Sequence, residues 1–217
     1  MKNSSNKAIL TTQELEKAYE FFFDYIENDN IDYTKRYSSW DLCYNHFNKR
    51  QSPDKTSSGL NLAFYLASWG MFRGSSELLN LGIEKYNDLA ELLFENKGKE
   101  FIDQFEEIKT FLKNNNISAT KTLITKIMLG VYANTPAIDQ FFNKTAIKYC
   151  IGIYDYDTAE KLSEKLEKIF GTKIENGQTI KEFIDSLLKN GLTKENLTKE
   201  KILDALFFQI GKTIKNP

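Results

Sequence analysis

The amino-acid sequence predicts an all-α protein. Only three of its 217 residues are prolines, and a proline inside a helix removes a hydrogen bond and clashes with the preceding turn. Apolar residues recur mainly at spacings of three and four, the period of a helix with one buried face. The hydrophobic content of 41% is sufficient for a core. We therefore expect one helical domain over residues 1–217 with about ten or eleven helices, or two helical lobes with a cleft.

The chain is predicted to begin with a flexible tail and two helices. Residues 1–10 contain only a short apolar run. Thr11 and Glu14 then have the spacing of a capping box, in which each side chain accepts a hydrogen bond from the other residue's backbone N–H. This pair should open the first helix, and the second should begin near Ser38 or Ser39.

The third predicted helix, Leu60–Phe72, is apolar nearly all round, which is typical of a helix at the centre of a fold. Gly74 is its predicted stop, because glycine readily adopts the left-handed conformation that ends many helices. Two short helices should follow, before a longer one at Lys99–Lys113 with apolar residues at steps of four, three and four. Three asparagines, 114–116, should end that helix.

The rest of the chain, from Ser118 onward, is predicted to hold five more helices. Ser118 should cap a helix that reaches Val131, and Pro136 should lie in the first turn of the next, where its missing N–H costs nothing. Two pairs have the spacing of a capping box and head further helices: Asp157 with Glu160, and Thr179 with Glu182. An extended turn is expected between them at Gly171–Gly177, and a last helix at about Thr198–Lys215.

The scarce residue types restrict the chemistry. The chain has one histidine, His46, and two cysteines, Cys43 and Cys150, which are too few for a zinc ribbon or an iron–sulfur cluster. The sequence has no phosphate-binding glycine-rich loop and no HExxH motif. We expect no metal and no cofactor. Cys43 and His46 are three residues apart, but Cys43 shares a stripe with apolar residues and is expected in the core.

Charge and hydropathy restrict the partners. The net charge is −1, from 29 cations and 30 anions, so DNA binding would depend on a local basic surface around Lys113, Lys121 and Lys144. No apolar run is long enough to span a bilayer, and the N-terminus lacks the core of a secretory signal. These patterns predict a cytoplasmic protein with no membrane contact, and the excess of lysine over arginine fits an AT-rich bacterial genome.

Lys121 and Asp139 are the strongest catalytic candidates. Lys121 borders the apolar face of its predicted helix, whereas Lys126 should point away from it. A helix start and partial burial both disfavour an ammonium group, so the Lys121 amine should be the better nucleophile. Asp139 should lie in the first turn of the next helix, where the helix dipole stabilises a carboxylate.

The run KTLITKIMLGVYANTPAIDQFF, which holds both residues, resembles the catalytic stretch of the helix-hairpin-helix DNA glycosylases. The likeness covers residues 60–212 in helix order and about 101–142 in residue type. It implies duplex DNA as the partner, a flipped damaged or modified base as the substrate, Lys121 as a Schiff-base nucleophile and Asp139 as the carboxylate that supports loss of the base.

A second block, LASWGMFRGSS, is similar to one found in bacterial proteins, a likeness that implies no activity. Trp69 and Arg73 are one helical turn apart there, so the guanidinium could stack on the indole or bind an anion. Under the glycosylase interpretation, Tyr65, Trp69 and Arg73 would contact the flipped base. Each of these residues is also what an ordinary helical core and helix end would contain.

Two other functions stay open at this point. The hairpin segment NNNISAT contains no glycine, and the net charge is near zero. Both facts favour a non-enzymatic helical binding or assembly protein that keeps the architecture without the chemistry. A helical enzyme that uses Arg73 on a small anionic ligand is the remaining alternative.

Overall fold

A computed structural model of the chain describes residues 8–27, 36–49, 54, 57–150, 158–189 and 197–215. Within these ranges the fold is all-α, as predicted, with eleven α-helices. They are α1 Thr12–Glu27, α2 Arg36–Asn48, α3 Ser57–Ser68, α4 Met71–Gly74, α5 Ile83–Glu95, α6 Phe101–Asn114, α7 Lys121–Val131, α8 Gln140–Tyr149, α9 Ala159–Phe170, α10 Ile180–Lys189 and α11 Lys199–Thr213. A 3₁₀ helix, Ser76–Asn80, follows α4.

The helices form two compact units. The middle unit is Asn28–Ile138 and contains α2 to α7; the terminal unit combines Met1–Glu27 with Asp139–Pro217 and contains α1 and α8 to α11. In the middle unit α3 packs on α2, α5 and α7, while α6 packs on α5 and α7. In the terminal unit α11 packs on α1, α8 and α10.

The most deeply buried helix of the middle unit is α7. Residues 123–131 are all buried, so its last carbonyl groups need donors other than water. The Trp40 indole N–H donates to the Leu129 carbonyl at 2.7 Å, and the Asn48 amide donates to the Val131 carbonyl at 2.8 Å. Side chains of α2 therefore cap the C-terminus of α7.

The predicted helix Leu60–Phe72 is interrupted in the structure. α3 ends at Ser68, and Gly70 adopts a left-handed conformation with φ of 73° before α4 begins. The stop is thus Gly70 rather than Gly74, because the chain reverses its local twist where only glycine does so without strain. α3 is also not buried on all sides, as a helix at the centre of the fold would be, because Leu60 is 53% exposed and Phe64 is 40% exposed.

The hairpin between α6 and α7 is formed by an asparagine. Asn116 has φ of 56°, and the N–H groups of Asn116 and Ile117 donate to the carbonyls of Lys113 and Leu112, which is the Schellman arrangement of a helix C-terminus. The asparagine stop is therefore confirmed. The cap of α7 is Thr120, which accepts from the Leu123 N–H, and not Ser118.

The start of α8 differs from the prediction. Pro136 lies outside any helix, and α8 begins only at Gln140. Thr122 and Thr125 of α7 hold the intervening chain, because their hydroxyls bond the carbonyl and the N–H of Ile138 at 2.8 and 3.0 Å. These two bonds hold residue 138 outside a helix, and α8 begins only after Asp139.

The predicted capping boxes are confirmed where the structure describes them. Thr11 and Glu14 exchange hydrogen bonds of 3.0 and 3.1 Å, and Thr179 and Glu182 exchange bonds of 2.7 and 3.1 Å. Asp157 lies outside the described residues, and α9 is capped by the hydroxyl of its neighbour, Thr158.

Two segments of the terminal unit are held by backbone hydrogen bonds. The expected turn at Gly171–Gly177 is present, with a bridge between Lys173 and Thr179 and φ of 87° at Gly177. Most of the predicted tail at residues 1–10 lies outside the described residues. Its last residue, Leu10, is buried and its carbonyl accepts from the Glu175 N–H at 3.0 Å.

Glycine also sets how closely helices approach. A Cβ on Gly211 of α11 would lie 2.0 Å from the Phe141 carbonyl oxygen of α8. Next to this contact, the Thr145 hydroxyl of α8 donates to the Phe207 carbonyl of α11 at 2.7 Å, and the Phe142 and Phe207 rings pack 5.0 Å apart. The α8–α11 contact therefore requires a residue without a side chain at position 211.

We predict that Gly211→Ala destabilises the protein by about 1–3 kcal/mol, because backbone atoms must separate to admit the methyl group. This loss outweighs the higher helix propensity of alanine, about 1 kcal/mol. Gly74→Ala is the matched control, since a Cβ there meets nothing within 4 Å. Urea unfolding of both variants is the measurement, and a Gly211→Ala protein as stable as the control would contradict the close contact.

The carboxylate of Glu14 also predicts how stability depends on pH. Burial raises its pKa, but hydrogen bonds from Tyr149 and Thr11 outweigh burial and leave the pKa below its usual value of 4.5. Because the folded pKa is lowered, the stabilisation is complete above pH 4.5 and is lost as the pH falls through the folded value.

Replacing Glu14 with glutamine should therefore make the free energy of unfolding depend less on pH below neutrality. At neutral pH the free energy of unfolding should fall by no more than about 1 kcal/mol, because the group is partly exposed. Glu16→Gln, at an exposed position of the same helix, should leave the curve unchanged. Chemical unfolding at a series of pH values between about 7 and 3 compares the variants. Parallel curves for Glu14→Gln and the wild type would show that this carboxylate does not contribute.

Candidate functional site

Lys121 is the first residue of α7, directly after the Thr120 cap, and its side chain is half-buried. It follows the α6–α7 hairpin, so it lies at the end of α6 where Lys113 is exposed in the last helical turn. The two lysines bracket the turn in sequence.

Asp139 is the N-cap of α8 rather than a residue of its first turn. One carboxylate oxygen, Oδ1, accepts from the N–H groups of Phe141 and Phe142 at 3.0 Å each, and the residue is 9% exposed. The carboxylate thus stabilises the start of α8. Lys121 belongs to the middle unit and Asp139 to the terminal unit, and their pairing stays a prediction.

Tyr65 and Trp69, the predicted base-contacting aromatics, are packing residues in the middle unit. Tyr65 is fully buried, and its hydroxyl donates to the Lys126 carbonyl of α7 at 2.9 Å. Its ring lies so close to Gly130 that a Cβ there would be 2.4 Å from the ring edge. Trp69 is 5% exposed and packs on Tyr65 with ring centroids 5.2 Å apart.

Arg73 is separated from Trp69 by the left-handed Gly70, so the predicted one-turn spacing within a continuous helix does not exist. The side chain is exposed and turns back over the break, with a terminal nitrogen 3.4 Å from the Cβ position of a residue at 70. The anion-binding role of Arg73 stays a prediction, and it would involve a different surface from the buried rings.

The lysine that is buried in α7 is Lys126, not Lys121. Lys126 is 7% exposed, its ammonium group donates to the Trp69 carbonyl at 2.9 Å, and it lies 6.0 Å from the Trp69 ring centroid. The expectation that Lys126 points away from the apolar face is therefore wrong. The carbonyl at the end of α3 needs a donor, and a lysine of the buried helix supplies it.

Cys43 and His46 lie in different surroundings. Cys43 is fully buried, and burial raises the pKa of its thiol far above the usual range. The His46 ring is instead held between α3 side chains, with Nε2 at 2.8 Å from the Ser58 hydroxyl and Nδ1 at 3.3 Å from the Asn61 amide nitrogen. The expectation that Cys43 belongs to the core is confirmed.

Sequence analysis missed a buried ion pair in the terminal unit. Lys201 and Asp204 are 0% and 1% exposed, and their charged atoms are 3.7 Å apart on consecutive turns of α11. Charged residues three apart are common on exposed helix faces. In the sequence, the two are distinguished only by the mainly apolar run ILDALFFQI, which Lys201 directly precedes and which contains Asp204.

Sequence analysis also missed a groove in the middle unit, between α5 and α6. Its volume is about 390 Å³, and seven residues line it: Leu92, Asp103, Glu106, Glu107, Thr110, Phe111 and Asn114. Among the described residues, no group of histidine, cysteine, aspartate and glutamate side chains is arranged to hold a metal ion. The spacing of the acids along α6 was the available signal, but it is also typical of a solvated helix face.

Comparison with family models, with curated proteins and with solved structures finds no match to this chain. Across the part of the chain that the structure describes, no helix combines the length and apolarity needed to span a membrane.

We predict that Lys126→Met destabilises the protein by about 1–3 kcal/mol, because the buried Trp69 carbonyl loses its donor. Lys121→Met should change stability by no more than about 0.5 kcal/mol at its half-buried helix start. Thermal and urea unfolding of the two variants provide the comparison. Equal effects of the two substitutions would contradict the assignment of Lys126 as the structural lysine.

Proposed function

We propose that the protein acts on damaged or modified DNA, with the Lys121 amine as the nucleophile and Asp139 as the carboxylate that assists loss of the base. The observation that supports this proposal is the position of Lys121, half-buried at the first residue of α7 and directly after a tight hairpin. A partly desolvated lysine is a known type of Schiff-base nucleophile.

The proposed reaction is simplest at an abasic site. The Lys121 nitrogen adds to the aldehyde carbon of the open sugar, and the resulting carbinolamine loses water to give an imine. Borohydride then delivers hydride to the imine carbon and fixes the protein to the DNA as a secondary amine. On a modified base, the same nitrogen would attack the sugar carbon while the base leaves with the bonding electrons and takes up a proton.

The exposed Lys113, in the last turn of α6, supports an approach of DNA phosphates to this end of the hairpin. Phosphate contacts of this kind are electrostatic and weaken with salt. Because the whole chain carries a net charge of −1, binding should depend strongly on this local basic end.

The test is borohydride trapping on labelled duplexes that carry an abasic, oxidised or alkylated site. We expect a covalent complex with the wild type, none with Lys121→Ala, and full trapping with the control Lys85→Ala, whose lysine is exposed on α5. Asp139→Asn keeps an equally good helix cap, so it should retain trapping at abasic sites while losing most base removal.

Failure of every duplex to trap would exclude the lyase reaction, and unchanged trapping by Lys121→Ala would exclude Lys121 as the nucleophile.

The second candidate function is that of a non-enzymatic helical binding protein. It is favoured by the burial of Tyr65 and Trp69, because the two rings pack on each other and the Tyr65 hydroxyl donates to a carbonyl of α7.

A further inference from the structure

We infer that the groove between α5 and α6 is a docking site for a cationic amphipathic helix of a partner protein. The groove residues on α6 are spaced at intervals of three and four from Asp103 to Asn114. They form one continuous stripe, which extends about 17 Å along the helix at 1.5 Å per residue. A groove of this length matches about three turns of a second helix laid beside α6.

The lining of the groove combines an apolar floor with charge of one sign. Leu92 of α5 and Phe111 of α6 are both half-buried. Among the lining side chains the only charged groups are the carboxylates of Asp103, Glu106 and Glu107. An apolar stripe flanked by lysine or arginine is the complement of this surface.

The lysines that pair with the acids of the groove can be displaced by the cations of a partner. Lys109 pairs with Glu106 and Lys99 pairs with Glu107, each at 2.8 Å, and all four side chains are at least 26% exposed. Exposed ion pairs of this kind contribute about 0–1 kcal/mol each. A partner's cations can therefore replace Lys99 and Lys109 at little cost while the partner's apolar side chains cover Leu92 and Phe111.

Two other ligand classes fit this groove less well. A divalent cation would need carboxylates that converge on one point, and the described residues contain no such group. Nucleic acid has the same sign of charge as the rim, so it would be repelled. None of the groove residues belongs to the proposed lyase site, so failure of either proposal leaves the other intact.

The test uses a labelled, designed helical peptide that has leucines on one face and lysines beside them. Fluorescence anisotropy measures its binding to the full chain. The matched probes are a scrambled peptide of the same composition and a peptide with glutamate in place of lysine. We expect binding of the amphipathic cationic peptide to be at least tenfold tighter than that of either probe, and to weaken as salt is added.

Two pairs of charge reversals then locate the site. The first pair, Glu106→Lys with Glu107→Lys, should weaken binding at least tenfold. The control pair is Glu91→Lys with Glu95→Lys, which makes the same change in net charge at exposed acids of α5 that do not line the groove. The control pair should leave affinity within about threefold of the wild type, a difference of about 0.65 kcal/mol.

A third variant tests the groove without altering any acid. Thr110 is exposed within the lining, so Thr110→Trp should fill the groove, keep the fold and reduce binding at least tenfold. Circular dichroism and thermal unfolding establish that each variant is folded. Equal loss in the two reversal pairs, equally tight binding of the scrambled peptide, or no binding at millimolar peptide would overturn the inference.

Discussion

The middle unit depends on the burial of the C-terminal half of α7. Burying a helix end removes water from carbonyl groups that have no partner in the helix itself, and an unsatisfied buried carbonyl costs about 1–3 kcal/mol. Trp40 and Asn48 of α2 supply donors to that end. Their side chains therefore fix the position of α2 against α7 and also satisfy the carbonyl groups at the end of α7.

The same requirement explains where the polar groups of α3 and α7 lie. Tyr65 of α3 donates to a carbonyl of α7, and Lys126 of α7 donates to the carbonyl of Trp69 at the end of α3. Gly130 allows the Tyr65 ring to lie directly against the α7 backbone. Tyr65 was a candidate for base contact in the sequence, whereas in the structure its hydroxyl and ring are bonded to and packed against α7.

The two proposed activities are located at chemically opposite parts of α6. The acids Asp103, Glu106 and Glu107 lie in its first half, and Lys113 lies in its last turn beside the hairpin that leads to Lys121. Acids near the N-terminus and cations near the C-terminus are also what a helix dipole favours. In the two proposals, the acids of the first half of α6 would contact a cationic helix, and Lys113 in its last turn would contact phosphate groups.

The sequence alone determined the helical class and the local signals that depend on neighbouring residues. The capping boxes at Thr11 and Thr179, the asparagine stop after α6 and the turn at Gly177 are short-range, so their geometry follows from residues three or four apart. It also correctly identified Cys43 as a core residue. The broken helix at Gly70 and the displaced start of α8 could not be predicted in this way, since contacts with distant residues decide them.

Tertiary structure decided which lysine of α7 is buried, which aromatic side chains are accessible to a ligand and where the helices approach closely. Periodicity placed Lys121 at the border of the apolar stripe and Lys126 away from it, whereas in the structure the Lys126 ammonium group is buried against the carbonyl at the end of α3. Gly211 looks like an ordinary helix residue until the backbone of Phe141 is placed against it. Periodicity reports which face of a helix is apolar, whereas the partner of each polar group on that face is set by the packing of helices remote in sequence.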